Sequence, residues 1–278
     1  VNYHFQSLGV SIYYAENLGT IADNLKEIKP HVFISVPRLI ERVYDKIIGA
    51  GKDLPYLKKQ VFFWSVNLGL KYDYVSPQSF FYELKLKIAN KLVFKKWREA
   101  LGNNIQLIIV GGAALQPRLS RVFGAAGIPV LEGYGLTETS PVIAANNIIN
   151  GEIKIGTVGA PFEGVEVKIA EDGEILCRGS NTMLGYYKEP DLTSEVIDKD
   201  GWFHTGDIGV MVDNKYVKIT DRKKEMFKLS SGKYIAPQVI ENKFKESFFI
   251  EQLMVIGENQ KFASAIISPN FPFLHNWA

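Results

Sequence analysis

The sequence predicts an α/β protein: α/β layers on a mainly parallel sheet, then a small antiparallel, barrel-like β section, then the start of a small α+β domain. Three observations lead there. Through residue 150, helical and strand signals alternate. Over 151–220 the apolar period falls to two residues and the runs are broken by tight turns. At 221–228 the run DRKKEMFK, four basic and two acidic residues, marks a connector, so 221–278 reads as hinge plus small domain.

The elements follow in order. TIADNLKEIKP places Ile21, Leu25 and Ile28 on one helical face, with Thr20 as N-cap and Pro30 as the stop. HVFISV (31–36) reads as a short buried strand. Pro37 suits the first turn of a helix carrying Leu39, Val43 and Ile47 on one face. Helices are expected over Tyr56–Leu70 and Phe80–Trp97. The latter carries Lys85, Lys87, Lys91, Lys95, Lys96 and Arg98, a basic face that can lie on anionic lipid, although a solvated face is the stronger reading. IQLIIV (105–110) is a buried strand, GGAAL follows, Pro117 opens a helix, and IPVLEGYG gives the next strand. This β–turn–α–β order implies parallel pairing, with GGAA and GYGLTE at the carboxyl ends of their strands, the edge where open α/β sheets bind ligands. EGVEVKIA and EILCRG, joined by EDGE, form a hairpin. DLTSEVI is a short helix, and GVMV–DN–KYVKIT is a second hairpin.

Composition narrows the function classes. With 278 residues, 46% hydrophobic, the chain can bury one large core or two smaller ones. A net charge of +2 gives no ground for a nucleic-acid partner. The single Cys177 cannot form an internal disulfide, which points to a reducing, cytoplasmic setting, and within GEILCRG it reads as a buried strand residue rather than a nucleophile. No apolar run approaches the roughly 18 residues of a membrane span. VNYHFQSLGV has no signal-peptide pattern. The start at Val1 and the abrupt end at PNFPFLHNWA lead us to expect a piece of a longer protein.

Three segments can carry chemistry. In GYGLTETSP (133–141), glycines allow close backbone approach, Tyr134 offers a ring face to a base, and Thr137 and Thr139 offer hydroxyls to phosphate. Glu138 is a hard oxygen ligand suited to Mg²⁺, which takes one or two carboxylates plus phosphates. Read alone, a polar loop with capping threonines fits equally well. GWFHTGDIG holds Asp207 just ahead of a strand, where an exposed carboxylate can accept both hydroxyls of a ribose; a β-turn aspartate is the plainer reading. DRKKEMFKLSSGKY sets Arg222 beside Asp221. His204 lacks metal-like spacing to the other histidines and reads as structural.

Together and in this order, the segments resemble the adenylate-forming superfamily, most closely the long-chain fatty-acid–CoA ligases, from about Tyr14 to Glu241. YYAENLGTIADNLKEIKPHVFISVPRLIERVYDKI is similar to the long-chain branch. GYGLTETSP matches the central motif, GYYKEPDLTSEVIDKDGWFHTGDIG the motif ending in the ribose aspartate, and DRKKEMFKLSSGKYIAPQVIE the hinge motif. The resemblance implies an enzyme that joins a long-chain fatty acid to the α-phosphate of ATP, with Mg²⁺, and passes the acyl group to coenzyme A. It implies that Gly112, Ala113 and Ala114 flank the adenine with Tyr134, between Gly133 and Gly135. Thr137 would contact phosphate, Glu138 would bind Mg²⁺, and Asp207 would hold the ribose with Arg222. Lys224 and Lys228 would lie near the nucleotide or the closed domain interface, Gly232 would border the pantetheine path, and Asp221 would be the pivot of a polar, poorly packed hinge.

Two family features have no match here: a Ser/Thr/Gly-rich phosphate loop and a late adenylation lysine. The piece alone is therefore expected not to turn over. Rival readings are an acyl–carrier-protein ligase and a non-catalytic nucleotide- or lipid-binding protein. Peripheral association with the inner membrane face stays open, as do acyl length and oligomeric state.

Overall fold

The computed structural model describes residues 2–17, 19–76 and 78–277. It contains two compact units, Val1–Gly135 with Ala144–Ala160, and Leu136–Ile143 with Pro161–Ala278.

In the first unit, a short α1 (Asn2–Ser7) precedes α2 (Ile21–Ile28). Thr20 occupies the N-cap of α2 but its side chain does not cap; its hydroxyl instead donates to the Asn17 carbonyl at 3.2 Å. The strands β1 (Val32–Ser35), β2 (Leu107–Val110) and β3 (Val130–Gly135) pair in parallel, as the β–turn–α–β reading requires. β1 corrects the expectation of a buried strand. Val32 is 40% and Ile34 44% exposed, and only Ser35 is buried, because β1 lies at the margin of the β1–β2–β3 set.

α3 (Pro37–Lys52) starts at Pro37 as expected, but its buried stripe is Ile40, Tyr44 and Ile48. Leu39, Val43 and Ile47 lie one residue to the side and are half-buried. Both sets have i, i+4, i+8 spacing, so periodicity alone does not choose between them. α4 (Tyr56–Gly69) and α5 (Phe80–Ala89) follow. A single π turn, Asn90–Phe94, joins α5 to α6 (Lys95–Ala100). Asn90 anchors it: Nδ2 donates to the Leu86 and Ala125 carbonyls at 3.1 and 3.0 Å, and Oδ1 accepts from Arg98 at 2.7 Å. Arg98 also donates to the Ala126 carbonyl, so it leaves the basic surface to which the sequence assigned it; the five lysines remain exposed.

The core of this unit gathers on Trp97, which is 3% exposed. Its ring lies 5.3 Å from Phe94, 5.7 Å from Phe123, 6.3 Å from Phe62 and 6.4 Å from Tyr44, centroid to centroid. Such aromatic contacts add about 0.5–1.5 kcal/mol each beyond area burial. α7 (Pro117–Ala125) completes the layer, with Leu119, Val122 and Phe123 fully buried. The chain changes unit after Gly135, within the short strand β4 (Val142–Ala145) and within β5 (Ala160–Pro161).

The second unit is built on a four-stranded antiparallel sheet of β6 (Val165–Ile169), β7 (Glu174–Gly179), β8 (Phe203–Val212) and β9 (Tyr216–Arg222), in that order. Register breaks between Glu174 and Leu176 and between Ile208 and Gly209 curl it, as bulges do. β7 is its buried strand, with Ile175 and Cys177 at 0% exposure. α8 (Pro190–Val196) precedes β8. Beyond Arg222 come the hairpin β10 (Phe227–Lys228) and β11 (Tyr234–Ile235), then α9 (Pro237–Phe244), the pair β12 (Ile250–Ile256) and β13 (Ser264–Pro269), and α10 (Phe271–Trp277). Leu229, Ile235, Leu253 and Val255 form a separate small core there. Among the described residues no helix is long and apolar enough to cross a membrane.

Candidate functional site

In the first unit the two loops singled out in the sequence leave adjacent parallel strands at the same sheet edge. Gly111 and Gly133 are so close that a Cβ on Gly111 would sit 3.5 Å from the Gly133 carbonyl oxygen. Gly112 has φ +85°, a left-handed backbone that favours glycine, and Gly112, Ala113 and Ala114 are all exposed. Tyr134 is only 8% exposed, so most of the ring packs inside and little of its face is open for stacking. Gly133 is half-buried and Gly135 exposed.

Beneath this edge lies Glu132, which the sequence reading did not single out. It is 7% exposed, and its Oε1 accepts the Leu115 N–H at 3.1 Å. Burial pushes its carboxyl up to about 7, and the single backbone bond only partly offsets that. The available signal was an acid on the inward face of IPVLEGYG, in step with Val130 and Tyr134.

In the second unit, Thr137–Thr139 form one 3₁₀ turn. Thr139 cannot serve phosphate as expected: at 0% exposure its hydroxyl accepts from the Leu136 N–H at 3.0 Å and donates to the Pro141 carbonyl at 2.7 Å. Thr137 is exposed. Glu138 is half-buried; its Oε1 accepts the Tyr186 hydroxyl at 3.0 Å and its carbonyl accepts the Met183 N–H at 2.8 Å. Burial and the Glu138 charge raise the Tyr186 phenol, which keeps it a donor. Asn181 braces the same turn by donating to the Thr139 and Val142 carbonyls at 3.0 and 2.8 Å. Tyr186 and Asn181 sit more than 40 residues from the turn, which hid them from a sequence reading. Among the described residues no group of three His, Cys, Asp or Glu could cage a metal. A Mg²⁺ held mainly by phosphates needs only one carboxylate, and the second oxygen of Glu138 fits that limited part.

Asp207 differs from expectation in two respects. It lies within β8 rather than ahead of it, and its side chain is 5% exposed. Its Oδ1 is 3.0 Å from Arg222 Nε, directly across the β8–β9 pair. The aspartate and arginine expected to act together are thus brought together. Next to them, Glu174 accepts the Gly206 N–H at 2.9 Å and the Lys223 ammonium at 2.8 Å, and lies 3.1 Å from His204 Nδ1. His204 thus belongs to the cluster around a buried carboxylate. Lys223 also reaches Asp172 at 2.7 Å. These donors outweigh desolvation and hold the Glu174 carboxyl below its usual value.

The connector is more ordered than a loose hinge. Asp221 is fully buried, and its carboxylate accepts the Arg222 N–H at 2.7 Å and the Gln238 N–H at 3.2 Å in the first turn of α9. Burial raises its carboxyl. Lys224 and Lys228 are exposed, with the Lys228 ammonium 5.3 Å from the centroid of the Tyr234 ring. Gly232, at φ +86°, turns the β10–β11 hairpin. Cys177 is sealed in β7 and burial raises its thiol to about 11, which removes it as a nucleophile.

The profile of the AMP-binding enzyme family matches residues 5–187. The chain is 34% identical over 274 residues to a long-chain-fatty-acid–CoA ligase of Mycobacterium bovis, covering 96% of this chain and 44% of that protein. It is 36% identical over 287 residues to the peroxisomal long chain acyl-CoA synthetase 6 of Arabidopsis thaliana, covering 98% of this chain and 40% of that one. The chain thus spans less than half the length of these relatives. Among solved structures, the O-succinylbenzoate coenzyme A synthetase of Bacillus subtilis in complex with AMP superposes with a TM-score of 0.67 at 17% identity, over 96% of this chain and 47% of that one. The adenylation domain of a Mycobacterium chelonae carboxylate reductase gives 0.66 at 21%, over 95% and 38%. These structures share the fold, and the family match covers most of the residues that form it: the chain belongs to the AMP-binding enzymes.

Proposed function

We propose that the full-length protein activates a long-chain fatty acid with ATP and transfers the acyl group to coenzyme A. The observation that carries this reading is similarity to long-chain ligases across 96% and 98% of the chain. In the first half-reaction the fatty carboxylate attacks the α-phosphorus, the acyl-adenylate forms and pyrophosphate leaves. In the second, the coenzyme A thiol attacks the acyl carbon, the thioester forms and AMP leaves. No protein nucleophile is needed, so catalysis is positioning and charge stabilisation.

Each residue has a proposed part. Gly112, Ala113 and Ala114 frame the adenine, Tyr134 adds only the small exposed part of its ring, and the bare backbone at Gly133 and Gly135 lets the nucleotide approach closely. Asp207 accepts the ribose hydroxyls while Arg222 holds its carboxylate in place. Thr137 donates to phosphate. Glu138, oriented by Tyr186, would hold Mg²⁺, which neutralises charge as two anions meet. Lys224 adds positive charge near the nucleotide, Gly232 borders the pantetheine path, and Asp221 marks the pivot between half-reactions.

Peripheral contact with anionic lipid is part of the same reading. Phe81, Leu84 and Ile88 of α5 and Leu92 of the π turn are exposed apolar residues, interleaved with Lys85, Lys87 and Lys91. Co-flotation of the full-length protein with anionic but not zwitterionic vesicles is the expected result.

The deciding experiment supplies the full-length protein with ATP, Mg²⁺ and fatty acids of several lengths, offering coenzyme A or an acyl-carrier protein as acceptor. Mass spectrometry should find acyl-CoA and AMP. Acyl-carrier protein as the sole product would replace the coenzyme A reading, and no adenylate at all would end the catalytic one.

A further inference from the structure

Asp207 and Arg222 sit on different strands, yet one buried group touches the residue beside each. Glu174, the first residue of β7, is 4% exposed. Its Oε1 accepts the N–H of Gly206, the residue before Asp207, at 2.9 Å. Its Oε2 accepts the ammonium of Lys223, the residue after Arg222, at 2.8 Å. The two segments are also joined directly, since the Lys223 N–H donates to the Gly206 carbonyl at 2.8 Å. Gly206 has φ +73° and stands two residues before Ile208, after which the β8–β9 register breaks. Asp207 and Ile208 stay paired with Arg222 and Asp221, so the Glu174 contacts brace a short paired stretch that ends where the register breaks after Ile208.

The charges around Glu174 are arranged to keep it in place. Lys223 lies between Glu174 and Asp172, at 2.8 and 2.7 Å, and His204 Nδ1 stands 3.1 Å away from Oε2. A carboxylate with a backbone donor and an ammonium, in a site this closed, has little freedom to rotate. Arg222, by contrast, is 53% exposed at its side chain and has no comparable enclosure.

We propose that Glu174 is a positioning residue for nucleotide recognition. It fixes the Asp207–Arg222 pair in the geometry that a ribose diol requires, without touching the nucleotide. This rests on the reading that Asp207 binds the ribose, and it adds a residue from a third strand to that site.

The test compares ATP with 2′,3′-dideoxy-ATP in the full-length protein, using competition against a fluorescent adenine nucleotide. The ratio of the two affinities isolates the diol contact. Wild type should favour ATP by at least about tenfold, the worth of a charge-assisted hydrogen bond. D207A should abolish the preference. E174A should reduce it to within about threefold of D207A, while the affinity for dideoxy-ATP stays near that of wild type. A merely structural loss would weaken both nucleotides alike and leave the ratio unchanged. E174Q keeps an oxygen for the Gly206 N–H but no charge for Lys223, and should fall between. K223M, at a half-exposed position, covers the case in which E174A fails to fold, and should also lower the ratio. If the Glu174 variants that fold and K223M keep the wild-type ratio while D207A loses it, Glu174 is not a positioning residue. If wild type itself does not distinguish the two nucleotides, the ribose reading of Asp207 fails first, and this proposal falls with it.

Discussion

The two units present the residues proposed for the nucleotide in opposite ways. The first offers exposed backbone: Gly112, Ala113 and Ala114 carry nothing larger than a methyl group. The second offers buried charge: Asp207 and Glu174 are each 5% exposed at the side chain and held by Arg222, Lys223 and the Gly206 N–H. A surface made of backbone is selective by shape and tolerates little change in φ. A charged network is selective by orientation, and losing one member strands the others. The two regions should therefore fail differently under mutation.

The largest expected effect breaks the charged side of that contrast. D207A should weaken ATP binding about a hundredfold, roughly 3 kcal/mol, because it removes an ionised acceptor and leaves Arg222 without its partner. Isothermal titration of the full-length protein checks this, and a loss under threefold would contradict it.

Next comes Glu132, a buried carboxyl on β3. Its carboxyl titrates near 7 in the folded chain against an ordinary 4.5, so the folded state keeps a proton that the unfolded chain releases. That contribution is complete below pH 4.5 and is lost as pH rises through about 7. E132Q should flatten this dependence, removing about 2 kcal/mol of stability change between pH 5 and 7.5. Urea midpoints of both proteins across that range measure it, and parallel curves would show that Glu132 is not raised.

G112A sharpens the other side. No atom lies within 4 Å of a Cβ built there, so only the left-handed backbone resists, at about 1–2 kcal/mol. ATP affinity should fall about five- to tenfold with an unchanged acyl-chain profile. The smallest effect belongs to Lys224, which is exposed. K224A should alter stability by less than about 0.5 kcal/mol, and the apparent KM for ATP should rise less than about fivefold. A larger rise would place Lys224 with the charged group.

Asp207 and Arg222 were legible as a pair because each stands in a distinctive short run of residue types. What could not be read was their enclosure: burial of Asp207 depends on β7, about 30 residues upstream. Glu174, Tyr186 and Asn181 escaped for the same reason, since each acts on partners about 30 to 48 residues away. Local errors had local causes. In α3 two parallel apolar stripes compete, and only packing selects Ile40, Tyr44 and Ile48. In β1 the branched side chains suit any strand, so HVFISV could not reveal that it lies at a margin. Thr139 looked like a phosphate donor because its hydroxyl's local partners, Leu136 and Pro141, are backbone groups.

The turn at Asn90–Phe94 has a consequence for how this chain tolerates change in length. A π turn holds one residue more than the helix around it, so everything after it is rotated by about 100° relative to an uninterrupted helix. Removing Lys91 would restore regular winding and keep every apolar side chain, yet would swing Trp97 off the Phe94, Phe123, Phe62 and Tyr44 cluster. At this point the spacing of the chain matters more than its chemistry: substitutions among similar residues should be absorbed, and a single codon deletion should not.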